Sequence, residues 1–311
     1  MSTLRNKVQL IGNVVADPDI ATSNDYGVMD NLTYSYTGNR LMKVDDTGNK
    51  TYGFKEPVST TGNDYRYDAN GNLVMDKNKG IGTDLVDGIA YNHLNLPTEI
   101  ITTQGNISYV YDAAGTKLQK TAGSSVTVYA GNYVYSGNTA TQTLQFLSTP
   151  EGYATPDGMG DYDYVYQYKD HLGNIRLSYI DANQNNEDPV SLEIVEENNY
   201  YPFGLRHKGY NDLPMSSLGN DVAQKWKYLD KEFEESFDLN LYEADWRQYN
   251  PAVARFFAID KIAENSQNMT PYHYGNNNPV IFTDPTGLFS TVVNNEGEVI
   301  DHKDDGDFNI Y

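Results

Sequence analysis

The chain has 311 residues, with 43 acidic against 22 basic side chains, a formal net charge of −21 and no cysteine. The acidity argues against a nucleic-acid duplex as the main partner, because affinity for phosphates comes from clustered Lys and Arg. The lack of cysteine excludes disulfides and thiolate metal sites, and we expect neither a metal nor a cofactor.

The composition favours strands and tight turns. There are 27 Tyr and 26 Gly against 12 Pro. Tyrosine suits a pleated, half-exposed surface, whereas glycine supplies the positive φ that hairpin turns require. We therefore predict an all-β fold.

The first residues read MSTLRNKVQLIGNVVADPDI and resemble the opening strand of bacterial single-stranded-DNA-binding proteins over residues 1–22. One strand supplies neither the five-stranded barrel nor the basic, aromatic groove of such proteins. We expect residues 1–30 to be a vestigial segment, and single-stranded-DNA binding through it is an alternative. The segment has no secretory signal pattern, and no part of the chain is apolar over a length that would span a bilayer.

A repeated pattern follows, in which alternating aromatics lead to an Asp or Asn, a glycine or asparagine turn and a returning apolar strand. Each copy predicts an antiparallel β-hairpin, and stacked hairpins predict a continuous curved sheet. The first acid of the turn, as in Asp68, Asp112 and Asp170, is expected to bond its own backbone. The copies are LTYSYTGNRL (32–41), YRYDANGNLV (65–74), IAYNHLNLPTEI (89–100), YVYDAAGTKLQK (109–120) and VYQYKDHLGNIRLSY (165–179).

These copies resemble the tyrosine-aspartate (YD) repeats of RHS proteins, whose sheet winds into a hollow shell around a cargo. The resemblance implies a partial shell over residues 31–163. An alternative is a non-catalytic cell-surface protein, in which exposed tyrosines of the sheet bind carbohydrate.

The strings KDHLGNIRLSYID, YYPFGLRHKGYN and WKYLDKEFEESFDLNLYEADWRQYNPAVARFFAID occur in this order and resemble the RHS repeat-associated core domain. That resemblance assigns residues 164–288 to the core and residues 289–311 to a short variable tail. The tail is too short to fold as an independent domain. We expect either that the effector has been lost or that the sequence stops just inside it.

Two aspartates stand out in the core segment, Asp260 at the end of ARFFAID and Asp284 at the start of DPTGL. Two carboxyls that share a site cannot both ionise easily, so one keeps a proton while the other activates water. Such a pair can hydrolyse a peptide bond. From the residue types alone, however, a simple type I turn from Asp284 to Gly287 is the favoured interpretation.

The resemblance favours catalysis, because RHS cores end in a DPxGL motif and cleave themselves after its leucine. It implies cleavage of the Leu288–Phe289 bond by Asp260 and Asp284, with Arg255 paired to one of them or polarising the scissile carbonyl. Pro285 and Gly287 would shape the turn before the bond. Lys261 stands where many relatives have proline, and a cation there would favour the ionised form of Asp260.

The leading hypothesis is thus an RHS shell and core fragment that encapsulates a C-terminal polypeptide and releases it by autoproteolysis. The residues leave open whether the chain is an enzyme. The candidate activity is intramolecular autoproteolysis of the aspartyl type. Its implied partners are its own C-terminal peptide, an effector cargo and an immunity protein. The resemblance implies an extracellular or cell-surface location.

Overall fold

The computed structural model describes residues 7–10, 30–48, 54–56, 61–181, 192–207, 219–288, 290–294 and 299–302. They form antiparallel strands joined by turns and short 3₁₀ segments, and contain no α-helix. The all-β, hairpin-based prediction is confirmed. Among these residues no helix has the length and apolarity to cross a membrane, and no three His, Asp or Glu side chains are grouped to hold a metal ion.

The chain divides into two compact units, residues 1–90 with 101–104 and residues 91–100 with 105–311. The four domain bounds expected from the sequence remain predictions. In the smaller unit, three strands form a sheet in chain order and two more form a hairpin. These strands are β1 (Lys7–Leu10), β2 (Asp30–Thr37), β3 (Arg40–Asp46), β4 (Tyr65–Tyr67) and β5 (Leu73–Asp76).

A sheet of eleven strands runs in simple chain order, from β6 at one edge to β16 at the other. The division between the two units falls within its first hairpin. The strands are β6 (Ile89–Tyr91), β7 (Pro97–Ile101), β8 (Asn106–Tyr111), β9 (Lys117–Ala122), β10 (Ser125–Ala130), β11 (Tyr133–Gly137), β12 (Gln142–Thr149), β13 (Gly152–Pro156), β14 (Tyr162–Lys169), β15 (Ile175–Asp181) and β16 (Leu192–Glu197).

The rest of the larger unit contains a four-stranded and a three-stranded antiparallel sheet. The first consists of β17 (Glu232–Glu234), β18 (Leu241–Glu243), β19 (Gln248–Asn250) and β20 (Arg255–Phe256), and the second of β21 (Phe282–Thr283), β22 (Thr291–Val293) and β23 (Val299–His302). The 3₁₀ segments are Lys77–Lys79, Pro202–Gly204, Ala223–Lys225, Tyr228–Asp230, Ser236–Asp238, Ala263–Ser266 and Gly275–Asn277.

The turns of the repeated hairpins share one design. In the β14–β15 hairpin, the Asp170 amide donates to the Asn174 carbonyl at 2.9 Å, and the Asp170 carboxylate accepts from the amides of Leu172 and Asn174, each at 3.0 Å. Asp112 and Asp68 hold their turns in the same way. The repeated aspartates are therefore turn formers, as the sequence predicted.

The short sheet β17–β20 is buried on both faces, and the two faces differ in chemistry. One face contributes aromatic rings to a buried cluster with Tyr228 and Tyr274; the opposite face is polar. Strand alternation explains the division, since successive side chains point to opposite sides. The aromatic face consists of Phe233, Tyr242, Tyr249 and Phe256, and the polar face includes Glu232, Glu234, Glu243 and Gln248.

Two lysines from the large sheet neutralise most of this buried polar face. The Lys120 ammonium lies 2.5 Å from Glu232 and 2.6 Å from Glu234, and the Lys117 ammonium lies 3.0 Å from Glu232 and also contacts Glu243. Unpaired buried charges would cost several kcal/mol each. The ion pairs thus fix the position of β17 and β18 against β9.

We predict that Lys120→Met lowers the free energy of unfolding of the larger unit by about 3–5 kcal/mol, because it leaves the buried Glu234 without its cation and Glu232 with Lys117 alone. Urea denaturation followed by tryptophan fluorescence measures the change. Lys169→Met is the matched control, since the Lys169–Asp230 pair is more exposed and its loss should cost about 0–1 kcal/mol. Equal losses in both variants would contradict the role assigned to Lys120.

Candidate active site

A single buried arginine brings the two aspartates together. Arg247 immediately precedes β19, and its side chain is 2% exposed. Its Nη2 atom donates to Asp260 Oδ2 at 2.8 Å and to Asp284 Oδ2 at 3.4 Å. The guanidinium lies over the Phe256 ring, 3.8 Å from the centroid. Although the two carboxylates are 24 residues apart in sequence, they share one hydrogen-bond donor in the fold.

Asp260 is positioned by backbone contacts on both sides. Its amide donates to the Pro271 carbonyl at 3.0 Å, and the same carbonyl accepts from Arg247 Nη1 at 3.2 Å. The Asp260 Oδ1 atom accepts from the Ile262 amide at 3.0 Å, which closes a turn. The carboxylate therefore uses one oxygen for the local turn and the other for Arg247.

Asp284 holds the backbone that leads to the predicted cleavage site. Its Oδ1 atom accepts from the amides of Gly287 at 2.9 Å and Leu288 at 3.0 Å. Arg247 Nε donates to the Gly287 carbonyl. The peptide group between Gly287 and Leu288 is thus bound at both its oxygen and its nitrogen. Trp246 adds a further anchor, because its amide donates to the Thr286 carbonyl at 3.0 Å.

The turn requires glycine at position 287. Its φ is +79°, in the region that side chains with a Cβ rarely adopt. A Cβ there would also lie 3.3 Å from the Ala244 Cβ and 3.4 Å from the Arg247 backbone nitrogen. Pro285 occupies the same turn and is half-buried. The close approach of this turn to Arg247 depends on the missing side chain.

The electrostatics of the site favour a single proton that the two carboxylates share. Burial raises the pKa of Asp284 to about 7; the Asp260 charge adds to the rise, and Arg247 and the two amides oppose it. Burial also raises the pKa of Asp260, against the opposing effects of Arg247 and the Ile262 amide. Near neutral pH, Asp284 therefore exchanges a proton while Arg247 stabilises negative charge beside it.

The remaining predicted residues have different surroundings. Arg255, in β20, lies over the Tyr272 ring at 5.1 Å and donates to Thr270 Oγ1 at 3.4 Å. Leu288 is half-buried, and Phe289 lies outside the described residues. The Lys261 ammonium lies 3.5 Å from the centroid of the Trp246 ring.

Arg247, the residue that binds both carboxylates, was not predicted from the sequence. A signal was present in strand alternation. Arg247 has the same phase as Tyr249, which belongs to the buried aromatic face of the sheet. An arginine in phase with buried rings needs buried acids as partners, and Asp260 and Asp284 are those acids.

Comparisons with known proteins agree with this fold. No family model matches the chain. The tRNA nuclease WapA of Bacillus subtilis is 22% identical over 303 residues, an alignment that covers 89% of this chain and 12% of WapA. Salivary gland surface protein 1 of Aedes aegypti is 30% identical over 101 residues, which cover 32% of this chain and 3% of that protein.

Among solved structures, the crystal structure of TcdB2-TccC3 without its hypervariable C-terminal region matches 92% of this chain and 15% of that chain, with a TM-score of 0.51 and 18% identity. At that identity the match shows the fold alone. The chain spans only about an eighth of the length of the WapA relatives it matches. Together the similarities support an RHS-like relationship.

Proposed function

We propose that this chain is an RHS core protein that cleaves its own backbone between Leu288 and Phe289 and so releases the polypeptide that follows. The observation that carries the proposal is the shared Arg247 guanidinium, which binds Asp260 and Asp284 while its Nε holds the Gly287 carbonyl. One cation thus links both acids to the segment that would be cut.

The chemistry we propose is hydrolysis by an acid–base pair. Asp260, ionised and bound to Arg247 at 2.8 Å, takes a proton from a water molecule, and the oxygen of that water attacks the Leu288 carbonyl carbon. Asp284, whose pKa is about 7, gives its proton to the carbonyl oxygen. As the tetrahedral intermediate collapses, the C–N bond breaks, and the Phe289 nitrogen takes the proton held by Asp260 and leaves as an amine. A hydroxyl proton of the intermediate returns to Asp284, which restores both carboxyls and leaves Leu288 with a free carboxyl group. One water molecule is consumed.

We further propose that the hairpin sheet belongs to a shell that encloses an effector cargo, with an immunity protein as a partner of that effector. The support is the RHS-like relationship together with the eleven-stranded sheet of sequential hairpins. On this proposal the protein acts as a toxin carrier at the cell surface or outside the cell. The repeats would then provide the wall, and the core would provide the release step.

An alternative function is supported by a row of exposed tyrosines along β14. Tyr164 and Tyr168 are 55% and 64% exposed, and Tyr162 and Tyr166 share their face. Tyr166 stacks on Tyr179 with 5.7 Å between the ring centroids. Such a row suits carbohydrate binding by a cell-surface protein, in which Asp260 and Asp284 would only hold turns. Two results together would favour this alternative. The native protein would bind glycan but show no self-cleavage, and the Tyr164→Ser variant would lose the glycan binding.

Single-stranded-DNA binding through the N-terminal segment is the third hypothesis. Of residues 1–22, the structure describes only those of β1 (Lys7–Leu10). This strand pairs antiparallel with β2. Filter binding of the chain with and without its first 22 residues tests it.

We predict that Asp260→Asn and Asp284→Asn each abolish cleavage and leave the full-length chain, because an amide neither accepts nor donates the required proton. Intact-mass spectrometry of freshly purified protein measures the loss of the segment that begins at Phe289. Arg255→Lys should slow cleavage less than either variant. If both Asn variants still cleave, or if the native protein stays whole between pH 4 and 8, the two aspartates only form turns.

We predict that the cleavage rate falls as the pH rises through about 7, because Asp284 then loses the proton that it must donate. Acid should also slow the reaction, since Asp260 must be ionised to act as the base. Refolding from denaturant into buffers of different pH, with samples quenched for mass analysis, gives the profile. A rate that keeps increasing well above pH 7 would contradict the acid role of Asp284.

We predict that Gly287→Val blocks cleavage, because a branched side chain resists φ of +79° and would meet Ala244 and Arg247. Gly158→Val is the control. Gly158 has a similar φ of +77°, but a Cβ there would meet nothing within 4 Å. Cleavage in the control at the native rate would show that the block is local. Normal cleavage in Gly287→Val would remove the turn from the mechanism.

A further inference from the structure

A cavity of about 460 Å³ lies within the larger unit, beside the polar face of β17–β19. Its volume is in the range of small-molecule binding pockets. Both tryptophans of the chain, Trp226 and Trp246, line it, together with Tyr111 and Tyr129. These four large aromatic side chains of the lining, which we call the aromatic wall, provide faces for a flat or cationic guest.

The charges beside the cavity do not balance. Three buried carboxylates meet two ammonium groups, so one negative charge is in excess; the groups are Glu232, Glu234, Glu243, Lys117 and Lys120. Other charges beside the cavity are paired with each other, Asp245 with Lys231 at 2.9 Å and Asp230 with Lys169 at 2.7 Å. These pairs leave the excess unchanged.

Glu243 lines the cavity and shares both of its lysines with the other carboxylates. Burial, together with the neighbouring carboxylates, raises its pKa, against the opposing effect of the two lysines. Its Oε1 atom also accepts from the Tyr109 hydroxyl at 2.7 Å. A cation in the cavity would stabilise the ionised form of this side chain.

Gln248 provides a second, independent indication of a guest. It pairs with Glu243 across β18 and β19 and lines the same cavity. The residue is only 6% exposed, and its amide makes no hydrogen bond to any described residue. The amide borders the cavity and is not sealed in the core, so a molecule in the cavity can hydrogen-bond to it. A guest with N–H donors would satisfy its carbonyl oxygen.

The aromatic wall already binds ammonium groups of the chain itself. The Lys117 ammonium lies 4.5 Å from the centroid of the Tyr129 ring, and the Lys261 ammonium lies 3.5 Å from that of Trp246. These rings are therefore oriented for cation–π contact. A neutral guest would gain less from the excess carboxylate than a cation does, and an anionic guest would be repelled by it.

We propose that this cavity binds an organic cation, either a guanidinium or an alkylammonium group, between its aromatic wall and the Glu243–Gln248 pair. The guest is the side chain of an arginine or lysine in a polypeptide, or a free polyamine. Its N–H groups donate to the carboxylate and to the amide oxygen. This binding does not depend on the cleavage reaction, which uses other side chains.

The test is titration of the full chain with N-acetyl-arginine amide, N-acetyl-lysine amide and spermidine, followed by tryptophan fluorescence and calorimetry. We expect saturable binding in the micromolar to low millimolar range. N-acetyl-citrulline amide has nearly the shape of the arginine probe without its charge, and should bind at least about tenfold more weakly. Tighter binding of the amino-acid amides identifies a polypeptide side chain as the guest, and tighter binding of spermidine identifies a free polyamine.

Substitutions in the lining test whether the guest binds in the cavity. Glu243→Gln removes the excess charge and Gln248→Met removes the amide at similar volume; each should weaken binding about tenfold or more. Glu235→Gln makes the same carboxylate-to-amide change at an exposed position outside the cavity and should leave binding unchanged. If Glu243→Gln does not fold, Gln248→Met decides. Equal affinity for the citrulline probe, no binding of any probe up to about 10 mM, or unchanged affinity in Gln248→Met would overturn the proposal.

Discussion

The candidate site depends on one buried guanidinium. Arg247 contacts both aspartates, the Pro271 carbonyl and the Gly287 carbonyl, while its flat face lies on Phe256. Arginine suits this position because its five donors are fixed in a plane and it remains charged when buried. Lysine could not hold four partners in these directions. Without Arg247, two carboxylates would be buried with no cation, so the site and the local fold share one interaction.

A similar constraint governs the sheet beside it. The strands β17 to β19 carry rings on one face and carboxylates on the other, and both faces are buried. A buried polar face is stable only when its charges are paired and its hydrogen bonds satisfied. Lys117 and Lys120 supply most of that pairing from the large sheet. The arrangement demands one register within the short sheet, because a shift of one strand by one residue would exchange its aromatic and polar faces.

Much of the fold could be predicted from local patterns, and the site only in part. Hairpins around Asp68, Asp112 and Asp170 follow from alternation and turn chemistry, which act over a few residues. The prediction that Asp260 and Asp284 share a site rested on a family resemblance, because no local pattern links positions 24 residues apart in sequence. Arg255 was named because it lies in the ARFFAID string that carries the resemblance, and Arg247 lies outside that string. Which arginine reaches the carboxylates is decided by strand phase and by long-range packing. The buried Lys120 pairs join residues more than a hundred positions apart, so no local pattern reveals them.

The turn-forming and catalytic interpretations of the two aspartates do not exclude each other. In both residues Oδ1 accepts backbone amides, from Ile262 in one case and from Gly287 and Leu288 in the other, while Oδ2 faces Arg247. One oxygen of each carboxylate fixes the backbone, and the other shares the cation. A turn that only had to be stable would not need Asp284 to be buried beside a second carboxylate, where burial and repulsion raise its pKa to about 7. An asparagine could accept the same two amide bonds through its carbonyl oxygen without that electrostatic cost. The cost of keeping an ionisable group there is the physical reason to assign it a proton-transfer role.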